Sequence, residues 1–245
     1  MTNKVLLIGD SCTDIYHYGT IDRISPEAPI PVLLTKNLLT CPGMAANVYN
    51  NLKAFGVETD FITNEEPITK TRFLDIKTGQ HLLRVDKEKT LDEINEFPKL
   101  DEYVAIVISD YNKGFLPYSY IVNIIEKATV PVFLDTKKQD LKKFNKAIVK
   151  INDREFKNRT SDCDNIIVTL GANGVLYKNN IIPAPKVEVF DVCGAGDTFL
   201  AALVCKYINS KNMIESINFA NKAAAITVQH SGVYSLTKKD LMSIS

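Results

Sequence analysis

Residues Asp191-Val192-Cys193-Gly194-Ala195-Gly196-Asp197-Thr198 place three small residues between acids, and the apolar run Phe199-Leu200-Ala201-Ala202-Leu203-Val204 follows. The run predicts a helix over Gly196–Tyr207. Small side chains at 194–196 let the backbone come close to a ligand. A helix that starts there points unpaired N–H groups and its positive dipole end at the same spot. The segment therefore reads as an anion hole suited to a phosphoryl group. Asp197, in the first turn, would stand beside the bound anion, where a carboxylate can orient a hydroxyl and accept its proton as it attacks phosphorus. Positioning and charge stabilisation dominate such transfers. The helix start is expected to lower the pKa of Asp197 and keep it ionised. On spacing alone, an ordinary glycine-rich turn with Asp197 as a capping acid explains the segment equally well. A dinucleotide fingerprint fits poorly, because Phe199 stands where the third glycine belongs. No GxxxxGK[ST] run and no protein-kinase signature occurs in the chain.

Outward from this segment, apolar runs predict strands at Val5–Ile8, Val104–Ile108, Val130–Leu134, Ala147–Ile151 and Ile166–Thr169. Helical patterns at Ala45–Phe55, Tyr118–Lys127 and Ile214–Gln229 lie between or after them. This alternation implies an α/β fold with a mainly parallel central sheet covered on both faces. Residues 14–40 and 70–86 break the rhythm with short alternating segments. Thr71–Ile76 and His81–Val85 flank the turn signal Lys77-Thr78-Gly79-Gln80, and Ile30–Leu34 is a further strand. Together they predict a small antiparallel β lid beside the main domain.

The chain has 245 residues, 45% of them hydrophobic, and 29 Lys+Arg balance 29 Asp+Glu. Zero net charge argues against a dedicated nucleic-acid binder. No apolar run approaches the roughly 20 residues of a membrane span, and Val5–Ile8 is too short for a signal-peptide core. The expected location is cytoplasmic. Five dispersed cysteines without a CxxC pair read as free thiols in a reducing compartment, and three histidines lack metal-ligand spacing.

Three further segments carry polar chemistry at strand ends. Thr169-Leu170-Gly171-Ala172-Asn173-Gly174 turns through two glycines, with a hydroxyl and free N–H groups that could hold nucleotide phosphates; a plain β-turn is the alternative. Asn152 and Glu155 suit a hydrated Mg²⁺ with phosphate, or a helix cap with its box partner, and both can hold at once. Asp10, Asp14 and the stretch Pro42-Gly43-Met44-Ala45-Ala46-Asn47 offer carboxylates and amides to sugar hydroxyls.

In this order, the four segments resemble the signatures of the ribokinase-like (PfkB) carbohydrate kinases. Arg23-Ile24-Ser25-Pro26-Glu27-Ala28-Pro29-Ile30-Pro31-Val32, Ser109–Gly114 and Phe219–Ala225 are similar to the subgroup acting on D-glycero-β-D-manno-heptose 7-phosphate. The resemblance spans about residues 4–241. It implies a three-layer ribokinase-like fold over 1–245 as a single kinase domain. It implies Asp197 as catalytic base, with Gly194, Ala195 and Gly196 forming the anion hole. Asn152 and Glu155 would govern Mg²⁺ through water. Thr169, Gly171, Gly174 and Lys137 would serve ATP, with Asn221 near the adenine. Asp14, Gly43 and Asn47 would hold the sugar, and Lys70, Arg72 and Arg84 are candidates for its phosphate. A monovalent cation and a lid-paired homodimer are left open. No H-x-G-H motif occurs in the chain, so the adenylyl-transfer half of bifunctional relatives is expected to be absent from it, and a separate adenylyltransferase acting downstream is left open.

Three departures stand out. Met44 replaces a usual second glycine, which narrows the sugar pocket. Only Thr63–Thr69 separates Phe61-Ile62 from the lid, where the pattern has a helix, a strand and a G-x-D-x-x-G turn. This predicts a smaller sheet or a more open site. Cys193 replaces a usual Thr and reads as packing. Another sugar or sugar phosphate as acceptor, a nucleotide- or sugar-binding protein without turnover, and, most distantly, a dehydrogenase remain alternatives.

Overall fold

The computed structural model describes residues 4–244. Its chain order is β1 (Lys4–Gly9), β2 (Ser11–Ile24), β3 (Pro31–Met44), α1 (Ala45–Ala54), β4 (Glu58–Thr63), β5 (Thr69–Asp75), β6 (His81–Lys87), β7 (Ala105–Asp110), α2 (Tyr118–Lys127), β8 (Val132–Thr136), β9 (Ile148–Asn152), α3 (Asp153–Asn158), β10 (Ile166–Thr169), β11 (Val175–Tyr177), β12 (Asn180–Ile182), α4 (Ala195–Ser210), α5 (Met213–Thr227) and α6 (Lys238–Ile244). Eight strands form one sheet in the order β12-β11-β10-β9-β8-β7-β1-β4. The pairs from β4 to β10 are parallel, and β11 and β12 add antiparallel.

The period-2 geometry of a strand explains the two cores. Val5 and Leu7 of β1 pack into one apolar cluster with Val48, Leu52, Leu200, Leu203 and Ile217 of α1, α4 and α5. Leu6 and Ile8 pack into the other with Ile121, Ile124 and Ile125 of α2. A strand buried on both faces needs a continuous apolar run, and β1 has one. The isoleucines of α2 recur at i, i+3 and i+4, so they share one face. Two helical layers thus enclose the sheet.

The lid is a four-stranded sheet in the order β3-β2-β5-β6. Two of its three pairings are antiparallel, while β2 and β5 run parallel. Its strands reach further than 14–40 and 70–86, starting at Ser11 and Thr69 and ending at Met44 and Lys87. The shortened connection from β4 to β5 is tied to the lid by one side chain. Asn64 Oδ1 accepts from Ser11 N at 2.7 Å, and its Nδ2 donates to Ser11 O at 3.3 Å and Glu66 O at 2.7 Å. The central sheet consequently ends at β4 on this side. The C-terminal ends of its parallel strands all lie at one edge, where ligands bind in open α/β sheets.

Candidate active site

Gly194 precedes α4 at φ +76°, a left-handed conformation that favours glycine. A Cβ there would also lie 2.8 Å from Asn47 Nδ2. The turn therefore sets Ala195 and Gly196 in the first turn of α4 with Asp197 behind them. Asp197 is 5% exposed. Asn47 Nδ2 donates to its Oδ2 at 2.9 Å, and the Tyr111 hydroxyl donates to its Oδ1 at 2.7 Å. Asn51 Nδ2 donates in turn to Asn47 Oδ1 at 3.1 Å and fixes the amide.

Burial pushes the Asp197 carboxyl up to about 6, against the hydrogen bonds from Asn47 and Tyr111 and the charge of Lys150. This corrects the expectation of a lowered pKa: the water lost around an enclosed carboxylate outweighs the partial charges of the helix start. Asp197 must be ionised to accept a proton. Turnover should therefore show an acid limb centred near pH 6, falling about tenfold per unit below it; a kcat/KM profile for the acceptor checks this. The sign for folding is opposite. Asp197 and Asp10, both raised to about 6 from 3.8, hold protons that the unfolded chain has released, so their contribution to stability is full below 3.8 and lost by about 6.

Two lysines lie beneath the turn. Lys150 on β9 opposes Asp135 on β8 in register, and its Nζ is 2.7 Å from Asp135 Oδ2, with both side chains 5% exposed. The amine packs against Gly196, where an added Cβ would meet it at 3.1 Å. Lys137 follows β8 and pairs with Glu155 Oε1. Burial pulls the Lys137 ammonium down, but Asp135 and Glu155 more than offset it and its pKa is raised.

Asn152 and Glu155 form a capping box at α3: Glu155 N donates to Asn152 Oδ1 at 2.9 Å, and Asn152 N donates to Glu155 Oε2 at 2.8 Å. Both carboxylate oxygens of Glu155 are thus engaged. Among the described residues no group of three or more His, Cys, Asp or Glu could enclose a metal.

A cavity of about 310 Å³ opens beside the anion hole. Thr169, Gly171, Gly174 and Asn221 line it together with Ala195 and Gly196, so segments far apart in sequence converge on one space. The Asn221 amide is engaged, donating to Ile182 O and Pro183 O at 3.3 Å each. It braces the cavity wall. Thr169 Oγ1 donates to Ile151 O at 3.4 Å.

On the lid side, Asp14 is buried and ion-paired with Arg72, whose guanidinium lies 5.0 Å from the Tyr16 ring centroid. A Cβ on Gly43 would sit 2.0 Å from Asp14 Oδ2, so only glycine admits that carboxylate. Met44 has φ +58° and ψ −133° at the N-cap of α1 and is 4% exposed. Glycine adopts this conformation freely, whereas a side chain stores about 1–3 kcal/mol of strain. Arg84 does not join the Asp197 cluster: exposed on β6, it donates to both carboxylate oxygens of Asp86 at 2.7 Å each. Lys70 Nζ sits 3.4 Å from Met44 Sδ and 4.0 Å from Glu88, which Lys113 engages more closely. Burial pushes the Cys193 thiol up to about 11, consistent with packing rather than reactivity.

Residues 43–240 match the family model described as pfkB family carbohydrate kinase. The chain belongs to this family. Among curated relatives, the bifunctional protein HldE of a Nitratiruptor species is 32% identical and covers 98% of this chain and 64% of its own length. The bifunctional protein HldE of Helicobacter pylori is 33% identical, over 94% of this chain and 63% of its own. The chain thus spans less than two thirds of these relatives. The Nitratiruptor alignment covers 300 positions although the chain has 245 residues, so that relative carries insertions against it. Thermotoga maritima ribokinase superposes with a TM-score of 0.72 at 18% identity, covering 98% of both chains. Escherichia coli phosphofructokinase-2 in complex with potassium gives 0.73 at 17% identity, covering 100% of this chain and 98% of its own. At such identities the likeness establishes the ribokinase fold alone.

Against the PfkB motifs, sequence reasoning missed Tyr111, Asp135 and Lys150. Tyr111 falls in the segment Ser109–Gly114, quoted only as a subgroup likeness. Asp135 and Lys150 are ionisable residues inside apolar strands, and that anomaly was the available signal. The apolar cavity wall of Val189, Val192 and Val228 went unmarked too.

Proposed function

We propose that this chain is an ATP-dependent sugar kinase that transfers the γ-phosphoryl group to the C1 hydroxyl of D-glycero-β-D-manno-heptose 7-phosphate. The observation that carries the reading is the enclosed Asp197 carboxylate at the start of α4, whose first residues Ala195 and Gly196 line one cavity with Thr169, Gly171 and Gly174. The acceptor O–H proton passes to Asp197, the oxygen attacks phosphorus, and ADP leaves. The N–H groups of Gly194 and Gly196 receive the transferring phosphoryl oxygens, and that of Ala195, which donates to Val192 O at 3.3 Å, joins them on giving up that bond. Asn47 holds the base in orientation, and Lys137 and Lys150 add positive charge beneath the turn. Asn152 and Glu155 would hold a hydrated Mg²⁺ through water, and the ion would neutralise phosphate charge. The stretch Arg23–Val32 and the HldE relatives support the heptose acceptor. Of the three candidate cations Lys70, Arg72 and Arg84, Lys70 is the least committed, since Arg72 serves Asp14 and Arg84 serves Asp86, so Lys70 is assigned the 7-phosphate.

Residues 1–245 act as one kinase domain on this reading. Edge strands β3 and β6, with exposed Leu34, Leu38, Leu39, Leu83 and Val85, favour pairing between lids in a homodimer. Among the described residues no helix is long and apolar enough to cross a membrane, and the dispersed free thiols support a cytoplasmic site. A second reading, a different sugar as acceptor, is favoured by Met44 and the shortened β4–β5 connection.

Mg²⁺-dependent ADP release tests the proposal, with ATP and heptose 7-phosphate, fructose 6-phosphate, ribose and fructose, with and without K⁺. Turnover on heptose 7-phosphate alone is expected. Turnover on another sugar would replace the acceptor and keep the kinase, while ATP binding without turnover on any sugar would favour a binding protein.

A further inference from the structure

Both oxygens of the Asp197 carboxylate already carry a hydrogen bond from the protein. The Asn47 amide on Oδ2 is a fixed donor, held by Asn51. The donor on Oδ1 is different in kind, for it is an alcohol-like O–H. Tyr111 places its hydroxyl 2.7 Å from the carboxylate oxygen. A general base needs its substrate hydroxyl within about 2.6–3.2 Å. The phenol thus has the distance and the donor type that the acceptor hydroxyl must adopt.

Two cations face the Tyr111 ring: Lys70 of the lid lies 5.6 Å from its centroid, and Lys137, which follows β8, lies 5.1 Å from it. Its backbone is set by a tight turn after β7. Tyr111 N donates to Asp10 Oδ2 at 2.6 Å, and Asn112 follows at φ +56°. The backbone is anchored by the turn, while the ring packs against the apolar cluster on the α2 side of the sheet as well as under the two lysines, so displacing it gives up those side-chain contacts but leaves the turn's own hydrogen bond in place. Sugar kinases of any kind face one competing acceptor, water, which is present at far higher concentration than the sugar.

We infer that the Tyr111 hydroxyl occupies the seat of the acceptor hydroxyl on Asp197 and keeps water from it until a sugar displaces the ring. The inference rests on Asp197 being the base. In transfer, the acceptor O–H bond breaks toward Asp197, the new O–P bond forms and the bond to the ADP oxygen breaks, ADP keeping the electron pair. With water in the same seat the identical step yields inorganic phosphate. The Tyr111 O–H is not consumed in either case.

The test compares Y111F, D197N and D197N/Y111F for ATP hydrolysis without sugar and for sugar-dependent ADP release. Y111F should raise sugar-free hydrolysis about tenfold, because the site no longer excludes water from the base. It should also lower KM for the sugar, and the added hydrolysis should vanish in D197N/Y111F. Unchanged hydrolysis in Y111F, with turnover on sugar falling at constant KM, would make Tyr111 an orienter of the base and overturn the inference. Equal hydrolysis in Y111F and D197N/Y111F would overturn it too, since the leak would not pass through the base. Failure of the base reading itself is separate: D197N alone would then phosphorylate sugar at the rate of the unaltered protein. A thermal midpoint confirms that Y111F is folded, and Y111L carries the same comparison should it be lowered.

Discussion

Asp197→Asn should lower turnover by about 10²–10⁴-fold, the usual contribution of a positioned general base, while KM for ATP stays nearly constant. The variant keeps the size and an acceptor oxygen for Asn47, so the turn at Gly194 is preserved. What it loses is the charge and the ability to take a proton. The proposed nucleotide cavity is lined by other residues, among them Thr169, Gly171, Gly174 and Asn221, and Asp197 is not one of them. A fall in kcat at constant ATP affinity is therefore the expected pattern, read from steady-state ADP release alongside ADP binding. A parallel rise of KM for ATP would mean that Asp197 organises the nucleotide site instead.

Lys150→Met should cost about 3–5 kcal/mol of folding stability, as expected when one partner of a buried ion pair is removed. Asp135 Oδ2 would lose its ammonium, and Asp135 Oδ1 already lacks a hydrogen-bond partner among the described residues. Against a typical total of about 5–15 kcal/mol, this is a large share. The urea midpoint measures it. The double variant Lys150→Met/Asp135→Leu should regain most of the loss, because an apolar pair of similar volume replaces a buried ion pair at little cost. A single variant as stable as the parent would show that Asp135 finds another partner.

The turn at Asp191–Asp197 was legible because its chemistry is local: small residues, an acid and a helix start lie within eight positions. The parallel strands were legible as apolar runs, since a strand covered on both faces cannot alternate. Tyr118–Lys127 coincides with α2 at both ends. β4 is half-buried along most of its length, and β11 and β12 have three residues each, too few for a pattern. The parallel pairing of β2 with β5 joins segments more than forty residues apart and leaves no trace in either alone. The same reason hid Tyr111 and Lys150, which reach Asp197 or its turn from the loop after β7 and from β9; the sequence marks Asn47 as a sugar ligand, and only its hydrogen bond to Asp197 from α1 is encoded by no spacing. The pKa of Asp197 was misread because the helix start is visible in the sequence and the burial is not. Met44 was visible as a departure, but its cost came only with φ +58°.

The central claim is that phosphorus moves from ATP to one hydroxyl of a sugar that already bears a phosphate. Phosphorus-31 NMR of the product formed from heptose 7-phosphate, ATP and Mg²⁺ tests it most directly. The expected result is one new phosphomonoester resonance coupled to the anomeric proton, growing in step with ADP and missing with Asp197→Asn. A new ester at any other carbon, or inorganic phosphate in place of a sugar ester, would contradict it.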